Sequence, residues 1–149
     1  MKLIAKNKKA YHDYDILETL EVGIVLTGDE VKSLRASNVS LSGAFATVHK
    51  RELYLINCHI SPYQKAFKKQ EEQATRRRKL LLHKRELDRL IGDVSKKGVT
   101  IVPLSIYFNA RNIVKVEIGV CKHRKAEGKK QMLKERDIKR ETERAIKWR

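Results

Sequence analysis

Long apolar runs are missing from this sequence: no stretch approaches the ~18 consecutive apolar residues of a membrane-spanning helix, and no secretory or lipidation signal follows Met1. A cytosolic location is the expectation. Cysteine is scarce, with Cys58 and Cys121 far apart and forming no C-x-x-C, so reduced, structural thiols are expected rather than a disulfide framework. There is no phosphate-binding glycine loop and no nucleophile elbow, which excludes the common nucleotide-hydrolysis and serine-hydrolase motifs. Acidic residues are few as well: 18 Asp and Glu stand against 34 Lys and Arg in 149 residues, a formal charge of +16. That imbalance calls for an anionic partner. Nucleic acid fits better than a membrane surface, because counterion release rewards every phosphate the cations neutralise. The length suits one domain with a tail.

What is present is organised around Gly23-Ile-Val-Leu-Thr-Gly-Asp-Glu-Val-Lys-Ser-Leu-Arg35, an apolar strand running into a short helix. Thr27 and Glu30 form a capping box, the hydroxyl accepting from the Glu30 N–H and the carboxylate accepting from the Thr27 N–H. Beyond the cap, Val31 and Leu34 share one helix face and Lys32 and Arg35 another, so one face can dock while the other is cationic.

In chain order, Met1 to His12 reads as a Lys-rich arm. From Tyr14, apolar Tyr14, Ile16, Leu20 and Val22 alternate with Asp13, Asp15, Thr19 and Glu21, the period-two pattern of a half-buried strand with Glu21 pointing outward. Gly23 allows a bend or bulge, and Ser37 to Gly43 is a turn-rich connection. Phe45–His49 and Leu53–Ile60 read as a hairpin about Lys50-Arg51-Glu52. Residues 62–78 carry Lys65, Lys68, Lys69, Arg76, Arg77 and Arg78 with Tyr63 and Phe67, a long loop whose rings and cations would suit an RNA surface.

Leu80-Leu81-Leu82 then reads as a short buried strand. Leu87, Leu90, Ile91 and Val94 follow the spacing of an amphipathic helix ended by Gly98. Lys84 and Arg85 in its first turn oppose the macrodipole, a choice that a recruited polyanion would explain. Strands over Thr100–Phe108 and Ile113–Val120, joined by Asn109 to Asn112, close the folded part. In the second, Val114, Val116, Ile118 and Val120 face one way. About six strands with two or three helices predict a mainly β, oligonucleotide-binding-fold barrel over residues 1–122. Residues 123–149 form a basic tail without a helical stripe, expected to order only on a partner.

The catalytic alternatives are weak. His12-Asp13 resembles half of a metal-binding pair but has no second half, and Cys58-His59 and Cys121-x-His123 lack zinc spacing. Glu30 is occupied as a cap, so it does not pair with Glu21 for acid–base work. No enzyme, metal or cofactor is expected; the rival reading is an RNA-processing nuclease on the same barrel.

Five blocks carry a resemblance: Asn7-Lys8-Lys9-Ala10-Tyr11-His12-Asp13-Tyr14, Glu21-Val22-Gly23-Ile24, Gly28-Asp29-Glu30-Val31-Lys32-Ser33-Leu34-Arg35-Ala36, Arg78-Lys79-Leu80-Leu81-Leu82-His83-Lys84-Arg85-Glu86-Leu87, and Gly128-Lys129-Lys130-Gln131. In this order they resemble the SmpB family (small protein B), the bacterial partner of transfer-messenger RNA (tmRNA). The resemblance implies an oligonucleotide-binding-fold barrel that grips the tRNA-like domain of tmRNA, as a monomer in a 1:1 complex, and delivers it to stalled 70S ribosomes. RNA-contacting positions carried over by motif include Asn7, Glu21, Leu81 and His83, with His12 near the decoding centre; Lys8, Lys32, Arg35, Arg78, Lys79 and Lys84 are the accompanying cations. The tail is expected to enter the empty message channel as a helix, with Lys129, Lys130, Lys134, Arg136, Lys139 and Arg140 meeting ribosomal RNA and Ile138, Ile146 and Trp148 gaining contacts there. One departure stands out. The family's Asp-Lys-Arg after the Gly-Lys-Lys block aligns with Leu133-Lys134-Glu135, matching only Lys134, with Arg136 one residue later.

Overall fold

The computed structural model describes residues 1–62 and 74–123. In chain order the elements are β1 (Lys2–Lys6), α1 (Lys8–Asp13), β2 (Tyr14–Ile24), α2 (Gly28–Arg35), β3 (Val39–Ser40), β4 (Phe45–His49), β5 (Glu52–Ile56), β6 (His59–Ile60), β7 (Arg78–Leu81), α3 (Lys84–Lys97), β8 (Thr100–Phe108) and β9 (Val114–His123). Most of the 62–78 loop and all of the tail beyond His123 lie outside the described residues.

Six strands close into a ring, β8-β4-β5-β7-β2-β9, with β9 returning to β8. Every pairing in it is antiparallel. The expected six are therefore the ring, and β1, β3 and β6 lie outside it, β3 pairing β6 as a separate ribbon. One edge of β8 serves two neighbours in turn: Ile101 meets Ala46 of β4, and Ser105 to Phe108 take β1. Its Val, Ile and aromatic residues make this long strand favourable, and it is buried along nearly its whole length. The barrel interior is filled by Val22, Leu53, Leu55, Leu80, Ile101, Ile106, Val116 and Ile118, joined by Leu34 of α2 and Leu90 of α3. Alternation along β9 puts Val114, Val116, Ile118 and Val120 inward, as the pattern predicts.

The first twelve residues are not an arm. β1 is an added strand on β8, and α1 covers the outer face of the β8–β9 hairpin, where Ala10 packs with Val102, Leu104 and Cys121 in a second small core. Sequence patterning misses this because the segment itself has little apolar content; the partner face supplies the rest. Asn7 fixes the corner. Its Oδ1 accepts from the Ala10 N–H at 3.2 Å, its Nδ2 donates to the Pro103 carbonyl at 2.9 Å, and its own N–H donates to the Leu104 carbonyl at 2.8 Å, satisfying orphan groups at a helix start and a bulge at once.

A bulge at Leu17 also divides the apolar set of β2. The register slips between Ile16 and Glu18, so Tyr14 and Ile16 join the outer cluster under α1 while Leu20 and Val22 face the barrel. Gly23, which allows a bend or bulge, instead pairs regularly with both Lys115 and Leu81. The hairpin turn is two residues, Lys50 and Arg51, both at positive φ (50° and 59°), and Glu52 belongs to β5. That handedness matches the strand twist. The expected Leu53–Ile60 strand breaks at Asn57 (φ 61°), and the remainder turns to pair β3. The expected strand at Leu80 to Leu82 starts two residues earlier, and only Leu80 of the three is buried.

Candidate nucleic-acid interface

The helix start at Thr27 forms as its sequence demands: the Glu30 N–H donates to Thr27 Oγ1 at 3.2 Å and the Thr27 N–H donates to Glu30 Oε1 at 2.9 Å. Val31 and Leu34 pack on the core, and Lys32 and Arg35 are exposed. The Glu30 carboxylate does more than cap. It also receives Arg76 through Nη2 at 2.6 Å and Nε at 3.0 Å, and Arg78 through Nη2 at 2.7 Å and Nε at 2.9 Å. Burial alone would raise the Glu30 pKa, but the bonds from Arg76, Arg78 and the Thr27 N–H outweigh it and hold the carboxyl below its usual range.

Arg78, expected on the RNA surface, is wholly buried. Besides Glu30 it donates to the Cys58, Arg76 and Ala74 carbonyls at 2.8, 3.2 and 3.0 Å. A buried guanidinium surrounded by acceptors is a brace, tying α2 to the approach of β7. Asn7 is likewise 6 % exposed and spent on α1. Neither side chain faces solvent, because each organises its own loop instead. Charge and family position gave no means of telling a brace from a contact.

The register of β2 on β7 brings the rest together. Gly23 pairs with Leu81, and a Cβ placed on Gly23 would lie 3.4 Å from the Leu81 Cβ. Leu81 is 48 % exposed, an apolar side chain left open on the barrel's outer face. Glu21, two residues before Gly23, faces outward on the same side, and His83 follows Leu81 as the exposed N-cap of α3. Lys79, Leu81, Leu82 and Lys84 line a cleft of about 260 Å³ with Arg51, Glu52 and Leu87. Lys79 pairs with Glu52 at 2.8 Å and Arg51 with Asp88 at 2.6 Å; both pairs are half-exposed and contribute little to stability. At the start of α3 the Glu86 carboxylate accepts from the His83 N–H at 3.2 Å, leaving Lys84 and Arg85 exposed beside the helix N-terminus.

Other expected positions are elsewhere on the molecule. Lys8 and His12 are exposed on α1, which packs on β8 and β2, while Lys32 and Arg35 sit on α2 beside β6. Residues that sequence reading passed over include Tyr54, whose hydroxyl donates to Glu52 and whose ring lies 4.3 Å beneath the Arg77 guanidinium. Another is Tyr107, whose hydroxyl donates to Glu21 Oε2. Period two along β8 puts Tyr107 opposite in parity to Ile106 and Phe108, which would have marked it as outward-facing. Among the described residues no three His, Cys, Asp or Glu side chains converge as metal ligands, and no helix is long and apolar enough to cross a membrane.

A closed six-strand antiparallel ring with helices packed on it, carrying a polar and cationic outer face around the open Leu81, defines an oligonucleotide-binding-fold protein. The family model described as SmpB protein matches residues 4–148. The chain belongs to the SmpB family. The SsrA-binding protein of Coprothermobacter proteolyticus is 51% identical over 144 residues, 97% of this chain and 96% of that protein. That of Halalkalibacterium halodurans is 51% identical over 146 residues, covering 98% and 94%. Among solved structures, a chain from one described as "tmRNA-SmpB: a journey to the center of the bacterial ribosome" superposes with a TM-score of 0.67 at 52% identity, covering 82% of this chain and 85% of that one.

Proposed function

We propose that this protein is the RNA-binding adaptor of trans-translation: it binds the tRNA-like domain of tmRNA and carries it to ribosomes stalled on messages without a stop codon. Family membership over nearly the whole chain supports the reading, and the observation that carries its site is the β2–β7 register, which pairs Gly23, two residues from the exposed Glu21, with the open Leu81, two residues before the exposed His83. An exposed carboxylate there accepts from base amino groups and turns phosphates away, so it confers selectivity. Lys79 and Lys84 beside it, with Lys8, Lys32 and Arg35 on the helices, supply the screened attraction. His12 on α1 faces the decoding centre, and the tail, which starts one residue later than the expected 123 because His123 belongs to β9, enters the empty message channel, where Lys129, Lys130, Lys134, Arg136, Lys139, Arg140, Ile138 and Trp148 make their contacts. Binding needs no catalytic group, metal or cofactor, and it takes place in the cytoplasm with one protein per RNA.

The test compares two RNAs. Glu21→Ala combined with His83→Ala is expected to weaken binding of the tRNA-like domain and leave binding of ordinary tRNA almost unchanged; equal loss on both would refute the site. Cleavage of a structured RNA by the purified protein in magnesium or manganese, abolished by Glu21→Gln, would overturn the adaptor reading in favour of a nuclease.

A further inference from the structure

Glu21 does not stand alone on the barrel wall. In the antiparallel register of β2 on β9 it lies directly opposite Glu117, and in the register of β9 on β8 Glu117 lies opposite Ser105. Two residues along, Gly23, Lys115 and Tyr107 form the next row on the same face of these three strands. Two carboxylates facing each other across a strand pair repel. Left to itself, an exposed Glu21 with three free torsions would turn away from Glu117 and sample many directions.

Tyr107 prevents this. β8 and β2 are two strand spacings apart, about 9.6 Å, and the Tyr107 hydroxyl reaches across β9 to donate to Glu21 Oε2. Gly23, in the same row as Tyr107, adds no side chain to obstruct that reach. Glu117 is held separately by the Ser105 hydroxyl at 3.4 Å. Burial, and then the Glu21 carboxylate, push the Tyr107 pKa well above its usual value, so the phenol keeps its proton and stays a donor. At 7 % exposed, its ring is unavailable to stack on a base. Its polar tip, by contrast, is committed to Glu21.

Resting on the reading of Glu21 as an RNA contact, we infer that Tyr107 is a positioning residue: its hydroxyl fixes the Glu21 carboxylate against repulsion from Glu117, leaving Oε1 aimed outward to accept from an amino-bearing base edge of the RNA. Selectivity then comes from a carboxylate whose direction is set before binding, so that little side-chain freedom is lost on contact. Phosphate, which both carboxylates repel, is not what this point of the surface recognises.

The experiment is a double-mutant cycle on the full-length protein, with Tyr107→Phe, Glu21→Ala and the pair, reading affinity for a transcript of the tRNA-like domain and for ordinary tRNA at one salt concentration. Tyr107→Phe removes a single oxygen. It is expected to weaken binding of the tRNA-like domain about 3- to 10-fold, the size of one ordered hydrogen bond, with ordinary tRNA unaffected, and to have no further effect once Glu21 is alanine. An effect of equal size in both backgrounds, or none in either while Glu21→Ala itself weakens binding, would overturn the inference and leave the proposed function standing. If Glu21→Ala has no effect, the reading of the site itself fails. Three-bond couplings across the Glu21 Cα–Cβ bond in the free protein give a second readout, which a merely structural tyrosine would not move: one rotamer is expected in the wild type and averaging in Tyr107→Phe. Couplings unchanged by the substitution would also overturn it.

Discussion

Replacing Glu30 with leucine removes five hydrogen bonds at once: one from the Thr27 N–H, two from Arg76 and two from Arg78. Arg76 can turn to solvent, since its side chain is already 26% exposed; Arg78, at 0%, cannot. It loses the Glu30 carboxylate while the Cys58, Arg76 and Ala74 carbonyls still accept from it. Removing one partner of a buried ion pair costs about 3–5 kcal/mol, and the lost reach-back of the capping box adds about 1 kcal/mol. The sum is a large part of the ~5–15 kcal/mol that keeps a domain folded, equivalent to a fall in Tm of roughly 15 °C or more for a chain of this size. Urea unfolding followed by far-UV circular dichroism measures it. Adding Arg78→Met removes the buried charge itself and is expected to restore at least half of the loss. A cost below about 1 kcal/mol for Glu30→Leu, or a double variant less stable than the single one, would refute the brace.

The same carboxylate gives a pH dependence. Its folded pKa lies below the ordinary 4.5 because the bonds from Arg76 and Arg78 outweigh the upward push of burial. Its contribution is therefore complete above about 4.5 and lost as pH falls through the lower, folded value; urea midpoints at pH 6 and pH 3.5 should differ more in the wild type than in the Glu30→Leu, Arg78→Met pair. Gly119→Ala would place a Cβ 2.9 Å from Leu104 Cδ1 and 3.2 Å from Cys121 Sγ, for an expected loss of about 1–3 kcal/mol; adding Leu104→Ala should then cost less than it does in the wild type, and simple additivity would count against the clash. Burial pushes the thiols of Cys58 and Cys121 up to about 11, so both should resist iodoacetamide at pH 8 in the folded protein and react at once in denaturant. Truncation after His123 is expected to leave the thermal transition and tmRNA binding nearly unmoved while abolishing tagging of stalled chains; full-rate rescue by the truncated protein would sink the proposed role of the tail.

Local physics was legible in the chain wherever a few adjacent residues decide the outcome. Thr27 and Glu30 specified a helix start, Gly98 specified its counterpart at the end of α3 with φ 62°, and the alternation of β9 marked an inward face, because caps and pleats depend on neighbours within four residues. Glu21 was outward for the same reason. Tertiary structure decided what depends on partners distant in sequence. Arg78 carries the same charge as its neighbours Arg77 and Lys79, and burial against the Glu30 carboxylate 48 residues away and the Cys58 carbonyl 20 residues away makes it a brace. β1 and α1 became elements because β8 and β9 offered them a strand edge and an apolar face, and a single extra residue at Leu17 reversed which wall Tyr14 and Ile16 would line. Tyr107 reaches Glu21 across 86 residues of sequence. A sequence records the groups available for such contacts, but closure of the ring determines which of them meet, since burial and register are properties of the packed barrel and not of any one strand.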